Sequence, residues 1–390
     1  MRIGVDATCW ANARGYGRFT RELLQHLVEL PSDHQFVFFL DGASDPVFHL
    51  NGPRTRRHRV RLSEAPTQAA SAEGYRSPLD LLRMTRAVAR EPLDVFFFPS
   101  VYTYFPLPLD LPAVTTIHDT IAERFPELTF ATRRAQAFWN AKVRLAVRQS
   151  QRVLTVSDFS RRDLAPRLGI DPGRIDVTEE GAAAAYAPGA PEAVAAAAAR
   201  QGLGPDDRWF TYVGGFNPHK NVEDLVRAHA AVCRATPRPP HLLLVGTVDA
   251  DVFHGSVGSI RETIAREGTG AWVHWTGFLP DEELALLHTG ACAVVLPSAC
   301  EGFGLPAVEG AACGAPVIAT TESPLPELLE GGGRFVTPGD VAGLTRALAD
   351  LASDPARRDA LGRVARARAN ALSWRRGAEQ ALASLERAAS

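Results

Sequence analysis

Ser298–Gly314 reads SACEGFGLPAVEGAACG and follows the apolar run AVVL at Ala293–Leu296. A short apolar run entering a glycine turn predicts a buried strand that ends where a helix begins, with Pro306 at the first helical position. Gly302 and Gly304 let the backbone come close to a ligand, and the free N–H groups of the new helix point toward it. Phosphate suits such a place, because the helix dipole favours an anion. Glu301 falls at the strand tip and Glu309 one turn into the helix. Neither carboxylate suits phosphate, but both can accept hydrogen bonds from sugar hydroxyls. A glutamate taken alone is more often a turn or surface residue. Gly302, Gly304 and Ala307, with Glu322 about twenty residues on, also fit a dinucleotide fingerprint. That fingerprint normally opens the first βαβ unit of its domain, whereas this stretch follows several strands. NAD-dependent dehydrogenase chemistry is therefore the weaker reading.

The same alternation continues in both directions. Strands are predicted at Arg2–Ala7, Phe36–Leu40, Asp94–Phe98, Ala113–Ile117 and Arg152–Val156, with a helix at Phe19–Leu30. Around the motif, strands at Trp209–Val213, His241–Val245, Trp272–Trp275, Ala293–Leu296 and Pro316–Ala319 alternate with helices at Val222–Val232, Asp281–Thr289 and Pro306–Cys313. Strand-then-helix repetition predicts an α/β protein with doubly wound parallel sheets. Ala, Pro and Gly crowd residues 182–207, which places a first domain at 1–185, a linker at 186–207 with an alanine helix at Glu192–Arg200, and a second domain at 208–371. The helical tail Pro355–Ala389 is interrupted near Ser373. Ligands bind beyond the carboxyl ends of such strands, so a two-domain version places its site in the cleft. Residues 65–78 (APTQAASAEGYRSP) lack periodicity and read as a loop or lid.

Composition narrows the function. The 390 residues exceed the roughly 250–300 at which one core stops growing. With 46% hydrophobic and 22% charged residues the chain is neither disordered nor fibrous. A net charge of -2 makes it no general polyanion binder, and no nucleic-acid module is recognisable. Its five cysteines lack paired CxxC spacing, so neither a disulfide framework nor a structural zinc site is expected. No apolar run approaches roughly 18 residues, and the start MRIGVDATCW lacks the apolar segment of a secretory signal. The expectation is a soluble cytoplasmic protein. A two-domain exported sugar-binding protein, the rival with the same α/β halves, should carry an export signal.

Three further features carry chemistry. In YVGGFNPHKN (Tyr212–Asn221) a Gly-Gly turn leads to Lys220 just before a helix, where a lysine can neutralise a diphosphate leaving group. Lys142 and Lys220 are the only lysines in the chain. His118 follows the strand Ala113–Ile117; the bland alternative is a buried histidine fixed by hydrogen bonds. Between Glu127 and Asp158 there is no acid, while Arg133, Arg134, Lys142, Arg144, Arg148 and Arg152 intersperse with Phe138, Trp139, Leu145 and Val147. This basic amphipathic helix, and a second cluster at Arg54–Arg61, predict either solvated faces or a peripheral contact with anionic membrane.

EGFGLPAVE, preceded by VVLPS, resembles the E-x7-E motif of retaining nucleotide-sugar glycosyltransferases of the GT-B fold, family 4 or group 1. The likeness spans nearly the whole chain. YVGGFNPHKNVEDLVRA is similar to that family's diphosphate loop, WTGFLPDEELALLHTGACAVVLPS to its nucleotide-binding segment, and GAPVIATTESPLPELL to the strand after the motif. RGYGRFTRELLQHL, TIHDTIAERFPE and VLTVSDFSRRDL resemble its N-terminal segments.

The resemblance implies two facing Rossmann-like domains, with residues 372–390 as a final helix crossing back to the first. It implies Glu301 on the donor sugar's hydroxyls, the backbone of Phe303, Gly304 and Leu305 around sugar and diphosphate, Glu309 on the ribose, and Lys220 on the leaving diphosphate. Gly15 and Gly17 of the first-strand loop would contact phosphate from the opposite domain. Gly215, Asn217, Gly277, Phe278, Ser298 and Gly302 complete the expected donor site. Tyr16, Arg18, Tyr102, His118 and Asp119 are the expected acceptor side, with His118 also catalytic. Many members carry an arginine where this chain has Gly215, so the leaving charge would fall to Lys220, helix N–H groups and His219. The family further implies retention by front-face attack and a nucleotide-diphosphate sugar donor. On the residues themselves, Lys220 and a helix N-terminus can take a metal's place at the leaving diphosphate, so no metal or other cofactor is expected. GDP-mannose is the best single donor, ahead of UDP- or dTDP-sugars, and the acceptor is a glycan, lipid-linked saccharide or small molecule. A noncatalytic sugar-nucleotide-binding protein is the alternative.

Overall fold

The computed structural model describes residues 1–63, 77–248 and 256–390, and its strands form two wholly parallel sheets. The expected lid at 65–78 lies almost wholly outside the described residues. The chain divides into two compact units, Met1–Glu180 with Ser373–Ser390, and Gly181–Leu372.

The first unit runs β1 (Arg2–Asp6), α1 (Gly15–Glu29), β2 (Gln35–Leu40), β3 (Thr55–Arg59), α2 (Pro78–Ala89), β4 (Val95–Phe98), β5 (Ala113–Thr116), α3 (Arg133–Gln149), β6 (Arg152–Thr155), α4 (Asp158–Leu168) and β7 (Ile175–Val177). Shorter helical turns are left unnumbered. The sheet order is β3-β2-β1-β4-β5-β6-β7, so the chain reverses direction between β1 and β4. Central strands such as β4, VFFF, are buried along their whole length, as a sheet covered on both faces requires.

The second unit runs α5 (Pro191–Arg200), β8 (Trp209–Val213), α6 (Val222–Ala235), β9 (His241–Val245), α7 (Val257–Glu267), β10 (Val273–Gly277), α8 (Asp281–Gly290), β11 (Ala293–Leu296), α9 (Leu305–Ala312), β12 (Val317–Thr320), β13 (Gly333–Val336), α10 (Val341–Ser353) and α11 (Pro355–Ala369). Its order is β10-β9-β8-β11-β12-β13, which puts the reversal between β8 and β11.

Three expectations change. The helix expected at Phe19–Leu30 starts four residues earlier, at Gly15. The stretch expected as a linker belongs to the second unit: Tyr186 donates to Asp281 Oδ1 at 2.9 Å, the Gly189 N–H donates to Thr289 Oγ1 at 3.1 Å, and Arg200 pairs with Glu283 at 3.0 Å. Finally, β3 and β13 are edge strands that the apolar pattern did not reveal.

The tail breaks at Ser373, whose hydroxyl caps α12 (Trp374–Ala389). This helix packs in the first unit. Ser384 and Arg387 reach Asp176 at 2.6 and 3.0 Å, and Arg152 reaches it from β6 at 2.5 Å. Burial alone would raise the Asp176 carboxyl; these donors outweigh it and hold the group down at about 2.

Candidate active site

In the second unit the strand tips at the chain reversal carry the E-x7-E segment and the lysine loop. Short loops after β8 and β11 bring residues 81 apart in sequence into contact: Lys220 Nζ lies 2.7 Å from Glu301 Oε1. The buried Ser298 hydroxyl donates to the same oxygen at 2.5 Å. Backbone bonds lock the two loops together, Ala299 N–H to the His219 carbonyl at 2.8 Å and Glu301 N–H to the Glu322 carbonyl at 3.0 Å. Asn221 ties the base of the lysine loop to the Pro297 carbonyl at 3.1 Å, and does so in the left-handed region, φ 51°. Sequence reasoning did not single out Asn221. Its place, between a lysine and an amphipathic helix, was the available signal.

Gly304 opens α9 with φ 88°, and a Cβ there would sit 2.7 Å from Leu325 Cδ1. Only glycine makes this turn without strain. Glu309 is buried on α9. A Cβ at Gly215 would lie 2.8 Å from Asn217 Oδ1, so a side chain there would have to displace the Asn217 amide. Asn217 Nδ2 is buried and meets no hydrogen-bond partner among the described residues. Gly277 ends β10, and Phe278 beside it is 65% exposed. The dinucleotide alternative fails here, because β11–α9 is not the opening unit of its sheet; β8–α6–β9 is.

Two expectations need correction. Ser298 is fully buried behind Glu301 and acts on that carboxylate, which removes it from direct donor contact. His219 cannot supply positive charge: burial, and then Lys220, push its imidazole down to about 3, so it is neutral at physiological pH.

In the first unit, Tyr16 on α1 and Tyr102 after β4 meet at the reversal and stack, with centroids 5.0 Å apart and planes at 19°. The Tyr16 hydroxyl accepts from Asn12 Nδ2 at 2.6 Å. Tyr102 continues onto Trp139, and Lys142 Nζ stands 4.4 Å from the Trp139 ring and donates to the Tyr102 carbonyl at 3.2 Å. Trp139 Nε1 donates to Glu123 at 2.7 Å. This extension was not foreseen, since its members come from three separate elements.

His118, two residues past β5, packs edge-to-face on Phe19 at 4.6 Å. Both its ring nitrogens are buried with no hydrogen-bond partner among the described residues, and burial pushes its pKa down to about 4. A histidine retained only as a hydrogen-bonded core residue would have partners. Asp119 accepts the Ile121 N–H at 2.9 Å.

Gly15, Gly17 and Arg18 lie in the first turn of α1, where Gly15 and Gly17 had been assigned to a loop. Gly17 is needed for packing, because a Cβ would fall 2.1 Å from the Asn12 carbonyl oxygen. Gly15, exposed and with nothing within 4 Å of such a Cβ, keeps an open approach. Among the described residues no group of three or more His, Cys, Asp or Glu side chains is arranged to hold a metal ion.

The profile of Glycosyl transferases group 1 matches residues 195–368, and that of Glycosyltransferase Family 4 matches residues 13–183. The chain is 26% identical over 367 residues to the O-antigen chain mannosyltransferase B of Escherichia coli, covering 92% of each chain. It is 32% identical over 293 residues to the MMP alpha-(1->4)-mannosyltransferase of Mycolicibacterium hassiacum, covering 72% of this chain and 66% of that one. Its fold matches that of Anabaena HepE, solved in complex with UDP-glucose, with a TM-score of 0.76, 19% identity, and 99% and 100% of the two chains covered.

Proposed function

Because the chain belongs to the group 1, family 4 glycosyltransferases of the GT-B fold, we propose that it moves mannose from GDP-mannose to a hydroxyl of a glycan, lipid-linked saccharide or small-molecule acceptor, with retention of configuration. The observation that carries this reading is the Lys220–Glu301 contact of 2.7 Å beside the Gly304 turn. An ammonium has three N–H groups. One can hold Glu301 while the others meet diphosphate oxygens, so cation and carboxylate serve one donor from adjacent points. Glu301, fixed by Ser298, accepts from the sugar's hydroxyls, and Glu309 accepts from the ribose.

As the bond between the sugar's anomeric carbon and the diphosphate oxygen breaks, negative charge grows on that oxygen. Lys220 and the N–H groups at residues 303–305 stabilise it, which is the type of fixed electrostatics that lowers such barriers most. The acceptor oxygen bonds the anomeric carbon from the face the diphosphate leaves, and its proton passes to the departing oxygen. His118, neutral, orients the acceptor hydroxyl. The proposal assigns no step to a metal ion. A cytoplasmic location belongs to it as well, because the five cysteines are free and buried, as suits a reducing compartment.

GDP-mannose is preferred to a UDP-sugar because both sequence relatives cited are named as mannosyltransferases, whereas the UDP-glucose complex is a likeness of fold. A thermal-shift panel of GDP, UDP and dTDP with their sugars tests this, since a ligand that prefers the native state raises the melting point. A selective response to GDP-mannose, followed by mannose transfer to an added acceptor, is expected. A selective response to another donor overturns the donor assignment, and binding with neither transfer nor hydrolysis makes the protein a noncatalytic binder.

A further inference from the structure

We propose that the outward face of α2 and α3, with the loop between them at residues 106–110, docks on an anionic lipid bilayer. Five of the eight exposed large apolar side chains among the described residues gather here: Leu79 and Leu82 on α2, Leu109 on the loop, and Phe138 and Leu145 on α3. Leu109 is 100% exposed, and Phe138 and Leu145, seven residues apart on one helical stripe, are 51% and 52% exposed.

These elements share a surface. Thr85 of α2 donates to the Pro106 carbonyl at 2.6 Å, and Gln149 of α3 clasps Leu107, accepting its N–H at 3.0 Å and donating to its carbonyl at 2.8 Å. Their inner sides, Met84 and Val88 on α2 with Trp139 and Val143 on α3, fill one core, so their outer sides look the same way.

The exposed charges are predominantly basic. Arg133, Arg134, Arg144 and Arg148 on α3 and Arg83, Arg86 and Arg90 around α2 are all exposed. Arg133, Arg144 and Arg148 form no ion pair with any described residue. Among the described residues of α2, α3 and the 106–110 loop, the acids are Asp80, buried and paired with Arg83 at 2.7 Å, and Asp110. Apolar side chains can enter the acyl boundary while guanidiniums on long stems stay at the headgroups, drawn by negative lipid. A second copy of the chain fits less well, since a twofold contact would set two cationic rims against each other.

Most of the basic cluster at Arg54–Arg61, which suggested the same partner, is committed elsewhere. Arg54 donates to the Val28, Leu30 and Ser32 carbonyls at and beyond the end of α1, Arg56 pairs with Glu91, and Arg59 pairs with Asp45.

Flotation of the full chain with phosphatidylcholine vesicles, with or without about one third phosphatidylglycerol, tests the proposal. Binding is expected only to the anionic vesicles, with at least a roughly tenfold fall when salt shortens the screening length to about 3 Å. The Arg144→Glu, Arg148→Glu double variant should lose binding by roughly tenfold or more. The Phe138→Ser, Leu145→Ser variant should also bind less, while keeping the salt dependence. Circular dichroism and the nucleotide-sugar thermal shift of each variant should match the parent, which separates docking from folding and from the donor site. Equal binding to neutral vesicles, no binding to anionic ones, or variants that bind like the parent would overturn the proposal. So would a dimer abolished by the same substitutions in a chain that ignores vesicles.

Discussion

At the reversal between β8 and β11 an ammonium meets a carboxylate, whereas at the corresponding reversal between β1 and β4 two phenol rings meet. The first contact is a 2.7 Å ion pair and the second a 5.0 Å stack. Topology supplies the crevice in both units, and side-chain chemistry decides what each can hold. On the proposed assignment, charge collects where a diphosphate must depart, and aromatic surface collects where an uncharged acceptor must be recognised. His219 and His118 are both buried and neutral, so on the proposed assignment the cation that meets the diphosphate is Lys220.

Lys220→Ala should produce the largest effect. Loss of one preorganised donor to a developing anion lowers kcat by about 10²–10³. Lys220→Arg should restore part of it, since the charge survives but the fork shape does not match. Tyr16→Phe and Tyr102→Phe should stay near parental turnover in the same transfer assay. If they fell as far as Lys220→Ala, the contrast between the two reversals would break. His118→Ala should come next, lowering kcat by about 10²-fold with donor affinity nearly unchanged. The folded imidazole titrates at about 4, against an ordinary 6.5. The profile of kcat/KM should therefore show no inflection from this group between pH 6 and 8. An inflection near 6.5 that vanishes in His118→Ala would contradict the neutral assignment.

The smallest effect concerns stability and sharpens the contrast from another side. Asp176 titrates at about 2 in the folded first unit and at 3.8 ordinarily, so it favours folding above that ordinary value and loses this contribution as pH falls toward 2. The contribution is about 2 kcal/mol. Calorimetry should show the Asp176→Asn variant less stable at neutral pH, with the gap closing in acid. A gap independent of pH would remove Asp176 as the tie between β6, β7 and α12.

The second unit was more legible in the sequence than the first for a physical reason. Ala293 through Glu309 form one continuous strand-turn-helix, and its glycines report backbone geometry directly. The first-unit cluster draws Tyr16, Tyr102, Glu123, Trp139 and Lys142 from segments with no shared motif, so only folding assembles it. The start of α1 was missed because Gly15-Tyr16-Gly17 looks like a turn, although buried Phe19, Thr20, Leu23, Leu24 and Leu27, with Tyr16 one turn before Phe19 and Thr20, keep helical spacing. β3, TRRHR, carries no apolar alternation because it is an edge strand; its Arg56 and Arg59 pair with the acids Glu91 and Asp45. Charge content alone could not distinguish that cluster from the exposed arginines of α3.

The most direct test is a crystal structure of the chain with a non-hydrolysable nucleoside-diphosphate mannose. The account predicts diphosphate oxygens shared between Lys220 Nζ and the N–H groups of Gly304 and Leu305, with the Glu301 carboxylate on the mannose hydroxyls. Diphosphate seated away from the Gly304 turn, with Glu301 still engaged only by Lys220 and Ser298, would contradict it.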